Sequence, residues 1–180
     1  FDDTNKHGKI TELVPEEFII ETIYVSVASY RDCQCPLTIS DLFQREKYPN
    51  RIRVAVIDQL VLGSDTTCIP SSEDCAKNPE NTLCKYSHHI DNFQMESNLA
   101  VGPVFARHLA HRMYRGEFYA MQVDAHVSFV QDWDVDIVNQ WKSAGNEMAI
   151  LTAYLSDVRN SINEETGKSQ NTDRPIMVHT

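Results

Sequence analysis

The segment QVDAHVSFVQDWD, from Gln122 to Asp134, follows an apolar run (Phe118, Tyr119, Ala120, Met121, Val123) and holds an aspartate and a histidine two residues apart, Asp124 and His126. In extended backbone, side chains two apart point to the same side. A carboxylate oxygen and an imidazole nitrogen would then face one point at the end of a buried strand. A mixed oxygen and nitrogen pair suits a divalent cation such as Mn²⁺, and a cation held there can carry a diphosphate. D-x-H alone is a short string that chance supplies in many chains. The strand end in front of it is what singles it out.

The elements that must position this pair follow from the apolar patterning. Ile23 to Ser29 (IYVSVAS) and Ile52 to Leu60 (IRVAVIDQL) are β-branched, apolar runs and read as buried strands. Between them Thr38 to Lys47 reads as a short helix, with Leu42 and Phe43 on its apolar face and Pro49 marking its end. Strand, helix and strand make a βαβ unit, which implies parallel pairing. Val61 to Ser87 is a long polar loop, of the length that is functional or disordered. Ile90 to Met95 reads as a short strand. Pro103 opens a helix striped by Phe105, Leu109, Ala110 and Met113 and closed by Gly116. Phe118 to Val123 is the strand carrying D-x-H, Trp133 to Ala144 a helix, and Met148 to Tyr154 and Ile176 to His179 further strands. Ser156 to Arg174 is polar, and residues 1–20 form an N-terminal arm. The sum is an α/β layered sheet.

Parallel sheets bind ligands at the carboxyl ends of their strands. Three polar clusters fall there: Ser29, Tyr30, Arg31 and Asp32 after the first strand, Asp58 and Gln59 at the second, and Asp124 and His126 after the later one. Together they offer an aromatic surface, polar donors and a metal pair, the set a nucleoside diphosphate requires. Arg107, one turn into its helix, can reach the same crevice or solvent. Each has a plainer alternative. Arg31 and Asp32 can form a local surface ion pair, Asp58 and Gln59 can simply end a strand, and His108 and His111 fit an exposed helix face better than half a zinc site. Trp133 fits the core.

Composition narrows the function classes. Hydrophobic residues make up 42% of the 180 residues, a globular composition. The net charge of −10 argues against nucleic-acid binding, which relies on clustered Lys and Arg. No apolar run approaches the roughly 20 residues that span a bilayer, so no membrane contact is expected from this segment. Of the five cysteines, Cys68, Cys75 and Cys84 share one polar loop, where a disulfide or a metal knot can form. Reduced thiols in a cytosolic protein are the leading expectation for all five, Cys33 and Cys35 included, which favours the cytoplasm over the Golgi lumen.

VSVASYRD (Val25–Asp32), CPLTISDLF (Cys35–Phe43), the run from Ala100 to Asp134 and AILTAY (Ala149–Tyr154) resemble the N-terminal half of a eukaryotic glycosyltransferase family. It is that of the GlcNAc-transferase modifying hydroxyproline on the Skp adaptor of SCF ubiquitin ligases. The ordered motifs GP-x-x-AR, RGE-x-Y, D-x-H and W-D carry the resemblance. A more distant one is to the mucin-type polypeptide GalNAc-transferases, which also use D-x-H. The resemblance implies a GT-A fold, a Rossmann-type, mostly parallel sheet flanked by helices, over residues 21–180. It implies transfer of a sugar, GlcNAc from UDP-GlcNAc, to a hydroxyl (hydroxyproline or Ser/Thr) of a protein acceptor, with Mn²⁺ or another divalent cation and with anomeric configuration retained. Asp124 and His126 would hold the metal. Ser29, Tyr30, Arg31, Asp32 and Gln59 would line the uridine pocket, and Arg107 would steady the nucleotide or Asp124.

The sequence departs from the family at Ala125, where a serine is usual, and at Cys33, often proline. It stops at Thr180, before the family's acceptor-binding half, so it reads as an incomplete, donor-binding part that alone can be inactive. No catalytic residue is assigned. Two other classes compete: a non-catalytic interaction module in which Asp124 and His126 only hydrogen-bond at a strand end, and a non-haem iron oxygenase, whose motif runs in the opposite order, His-x-Asp, on an antiparallel sheet.

Overall fold

The structure is a computed structural model that describes residues 21–153, 161–163 and 165–170, and the backbone of 178–179. The expected N-terminal arm, the end of the Met148–Tyr154 strand and most of the polar stretch after it lie outside these residues.

β1 (Ile23–Tyr30) and β2 (Ile52–Leu60) form where the β-branched runs predict them. The helix between them, α1 (Cys35–Arg45), begins three residues before the expected Thr38. Pro36 explains this, since its fixed φ and missing N–H suit a first helical turn. After β2 the chain makes two short helices, α2 (Ser72–Lys77) and α3 (Thr82–Lys85), then β3 (Ile90–Glu96) and α4 (Pro103–His111). α4 stops short of the expected Gly116, whose φ of 98° serves the turn into β4 (Tyr119–Asp124) instead. α5 (Trp133–Ser143) follows, and a two-residue strand β5 (Ile150–Leu151) pairs antiparallel with β6 (Val178–His179).

The main sheet has the order β3-β2-β1-β4, and every pair is parallel. The chain steps outward from β1 to β3, then returns to the far side of β1 with β4. Helices cover both faces. Val25, Val27, Val54 and Val56 point into one core with Ile39, Leu42 and Phe43 of α1. Ile57 and Ala28 point the other way, against Ala106, Ala110 and Leu109 of α4. Burial on both faces is why β1 and β2 read as continuous apolar runs rather than alternating ones. Each buried Val, Ile or Leu contributes about 1.5–3 kcal/mol relative to exposure. The reversal of strand order at β1 opens a crevice between the carboxyl ends of β1 and β4.

The cysteines depart from the sequence expectation. Cys35 and Cys68 are joined by a disulfide with their Cα atoms 5.0 Å apart, as are Cys75 and Cys84 at 5.3 Å. The polar loop folds back over the start of α1, which brings residues 33 positions apart within bridging range. Cys33 alone is a free thiol, and it is exposed. Among the described residues, no helix is long and apolar enough to cross a membrane.

Candidate functional site at the carboxyl ends of three parallel strands

The parallel registers fix what meets at the crevice. Ala28 pairs with Asp124, Ser29 with Asp58 and Tyr30 with Gln59, so the three polar clusters end at one level. Tyr30 is the last residue of β1 and is 58% exposed. Arg31 turns the chain there with φ of 50°, a left-handed conformation uncommon outside glycine. Its N–H donates to the Gln59 carbonyl at 2.8 Å, and its guanidinium donates through Nε and Nη2 to both oxygens of Asp65, at 2.7 and 3.1 Å. That bidentate contact replaces the local Arg31–Asp32 ion pair that adjacency suggests. The Asp65 carboxyl is held below its usual range by this hydrogen bond and by the Val61 N–H.

Asp32 turns instead to the far side of the crevice, where its Oδ2 accepts from Nδ1 of His126 at 2.8 Å. Asp124 lies at the end of β4, where its Oδ1 accepts from Nη2 of Arg107, a residue of α4, at 3.2 Å. Asp124 and His126 are exposed and Ala125 is buried, so the two candidate ligands leave the chain on the open side. Thr38 sets this turn. Its buried hydroxyl donates to the Ala125 carbonyl at 2.9 Å and accepts from the Val127 N–H at 3.0 Å, clamping the backbone on both sides of His126. One turn along α1, Asp41 accepts the Phe129 N–H at 2.6 Å.

Ser29 and Gln59 are placed behind the crevice rather than in it. Both are buried, and the Gln59 amide donates to the Ser29 carbonyl at 3.1 Å. They shape the end of β1. Asp58 is also buried and accepts the Cys68 N–H at 2.8 Å, while its other oxygen and the Ser29 hydroxyl lie on opposed residues of the register and bond nowhere else among the described residues. Burial pushes the Asp58 carboxyl up, and the Cys68 N–H partly offsets this.

The donor set fits a cation. A carboxylate can only accept, so the contact with Asp32 places a proton on Nδ1 of the neutral His126 ring and leaves the Nε2 lone pair for a metal. Asp124 keeps an oxygen that Arg107 does not take. The charge balance points the same way, because Arg31 and Arg107 are each already matched by a carboxylate. A diphosphate entering the crevice would need further positive charge. Among the described residues no group of three or more His, Cys, Asp or Glu is placed to hold a metal ion.

Sequence reasoning passed over Thr38, Asp65 and the Cys35–Cys68 bridge. Thr38 had one visible signal, a hydroxyl on the apolar stripe of α1. Asp65 had none, being one acidic residue in a polar loop. His108 and His111 are exposed on α4, as their helix-face alternative has it, and His89 is buried with Nδ1 2.9 Å from the Ile52 carbonyl.

The family model for glycosyltransferase (GlcNAc) matches residues 22–72 and 62–179. Among curated proteins none matches the sequence. The fold is similar to that of S. aureus TarS 1–349, with a TM-score of 0.50 and 17% identity over 74% of this chain and 36% of that one. For TarS 1–349 in complex with UDP-GlcNAc the TM-score is 0.52, with 16% identity over 79% of this chain and 37% of that one. The chain therefore spans little more than a third of the length of these structures, and at such identity they establish its architecture alone.

Proposed function

The chain belongs to the GlcNAc glycosyltransferase family, and on that premise we propose that it is the donor-binding part of an enzyme that transfers GlcNAc from UDP-GlcNAc to a protein hydroxyl, in a reaction that needs Mn²⁺ and retains the anomeric configuration. The observation that carries this reading is the convergence of Tyr30, Arg107, Asp124 and His126 at the strand ends, where the order of the sheet reverses. The TarS structure of the same fold is described as a complex with UDP-GlcNAc, which supports the choice of donor. A hydroxyproline or Ser/Thr acceptor rests on the resemblance of the ordered motifs GP-x-x-AR, RGE-x-Y and D-x-H to the Skp-modifying family.

In this reading Asp124 and Nε2 of His126 hold the cation. When bound, it neutralises the negative charge that gathers on the departing UDP. Arg107 holds the Asp124 carboxylate in place and stands where it can also meet the diphosphate. Tyr30 offers an exposed ring against which the uracil can lie. Ser29 and Gln59 support that surface from behind. Arg31 pins the loop after β2 through Asp65, so its part in nucleotide binding is to shape the pocket wall. The parallel sheet favours this reading over an iron oxygenase, which needs an antiparallel one.

Calorimetric titration of UDP and UDP-GlcNAc into the chain, with Mn²⁺ and with EDTA, is the direct test. We expect binding that requires Mn²⁺ and that falls at least tenfold in Asp124→Ala. A folded chain that binds neither nucleotide with Mn²⁺ present, or binds equally well without Asp124, would overturn the donor-site reading and leave an interaction module.

A further inference from the structure

We propose that Asp32 is the positioning residue for His126, fixing its tautomer and the direction of its metal-binding nitrogen, rather than a contact for the uridine. This rests on the reading of Asp124 and His126 as the cation site.

Both oxygens of Asp32 are engaged within the protein. Oδ1 accepts the Gln34 N–H at 2.9 Å, and Oδ2 accepts from Nδ1 of His126 at 2.8 Å. The Asp32 carbonyl accepts the Cys35 N–H at 3.2 Å, and Cys35 is bridged to Cys68. The carboxylate is thus presented by a turn that is itself tied down. On the other side, Thr38 clamps the backbone around His126. Two anchored segments, 94 residues apart in sequence, meet through one contact between Asp32 and the ring.

The side chain of Asp32 is 21% exposed and that of His126 is 59% exposed. An exposed ring with no partner at Nδ1 would turn freely and divide between two tautomers. With Nδ1–H held by Asp32, Nε2 is the only nitrogen with a lone pair, and it points away from Asp32. Carboxylates in this relation to metal-binding histidines contribute about 10–100-fold to metal affinity. If the contact were only a surface ion pair, its removal would cost a few tenths of a kcal/mol to about 1 kcal/mol of stability and leave the metal unaffected.

The test uses Asp32→Ala and Asp32→Asn with two readouts besides activity. The first is the ¹⁵N spectrum of the His126 ring in metal-free protein. The second is Mn²⁺ affinity with UDP present, read from the loss of the free-ion electron paramagnetic resonance signal. We expect the Nδ1–H tautomer in the wild type, a mixed or Nε2–H ring in Asp32→Ala, and Mn²⁺ binding weakened by about 10–100-fold. Asp32→Asn should recover part of the affinity, because its amide oxygen can still accept from Nδ1, although the amide nitrogen then stands where an oxygen accepted the Gln34 N–H. An Nε2–H ring in the wild type, or unchanged Mn²⁺ affinity in a folded Asp32→Ala protein, overturns the inference. A wild type with the Nδ1–H ring that takes up no Mn²⁺ overturns the cation site itself, and the tautomer result tells the two failures apart.

Discussion

The D-x-H turn is held by a hydroxyl that no spacing rule selects. Thr38 bonds the Ala125 carbonyl and the Val127 N–H, two buried groups 87 and 89 residues away. A buried backbone group left without its partner costs about 1–3 kcal/mol. Thr38→Val keeps the shape and removes both bonds. It should lower stability by about 2–6 kcal/mol, since two groups lose their partner. It should also weaken Mn²⁺-dependent UDP binding more than Thr38→Ser, which keeps the hydroxyl. Denaturant melts and calorimetry on the pair decide this, and equal nucleotide affinity in both variants would show that the clamp does not support the site. At this scale the sequence shows what alternation can show: Asp124 and His126 leave the chain together. It does not show that Arg31 chooses Asp65 over its neighbour Asp32, because that choice depends on where a loop 34 residues away returns.

The W-D string, one of the ordered motifs near D-x-H, belongs to the joints between elements. Trp133 is buried, and its indole N–H donates to the Leu42 carbonyl at 3.0 Å, locking α5 to α1. Asp134 is fully buried, accepts the N–H groups of Lys47 and Tyr48 at 2.7 and 3.2 Å, and pairs with Arg51. Its carboxylate ties the chain just after α1 to the first turn of α5. Glu46, at the same joint, has a buried oxygen without a partner. Burial, and then the charge of Asp134, push its carboxyl up to about 8. A group whose pKa is higher in the folded state than in the unfolded one contributes stability fully only below its unfolded value, here near 4.5. That contribution is lost as pH rises toward 8, by at most about 1.4 kcal/mol per pH unit. Glu46→Gln should therefore be more stable than wild type at pH 8 and should flatten the decline between pH 5 and pH 8. Thermal melts across that window check it, and parallel curves for the two proteins would refute the assignment. Elements themselves were legible where the pattern was strong, as in β2, whose bounds match the apolar run. Ends were less so, because α1 starts on a proline turn and α4 stops before its glycine.

For the whole molecule the consequential difference lies in the long loop after β2. Its length and polarity mark it as functional or disordered, and its thiols read as reduced. In the structure two bridges and two short helices order it, and it carries Asp65 to Arg31 and Cys68 into the core beside Cys35. Cys68 is joined to Cys35 at the start of α1, its N–H holds the buried Asp58, and Asp65 three residues earlier holds Arg31. Sequence alone offers many pairings of five cysteines, and only the folded path brings Cys35 and Cys68 together. The Cys35–Cys68 bridge joins residues 33 apart, the Cys75–Cys84 bridge residues 9 apart. Loop-closure entropy gives the longer loop about 3–4 kcal/mol and the shorter about 2–3 kcal/mol. Its position gives the longer one a second role, because, of the two bridges, it is the one that ties the loop beside the turn that presents Arg31 and Asp32, next to the Arg31–Asp65 contact. Thiol titration of the unfolded, unreduced chain should find one free thiol, that of Cys33. The double variant Cys35→Ala/Cys68→Ala should lose about 3–4 kcal/mol and weaken Mn²⁺-dependent UDP binding, whereas Cys75→Ala/Cys84→Ala should lose less stability and keep its affinity. Disulfides of this kind persist where the surroundings are oxidising. Five titratable thiols, or equal nucleotide affinity in the two double variants, would return the loop to the reduced, unanchored state that its composition suggests.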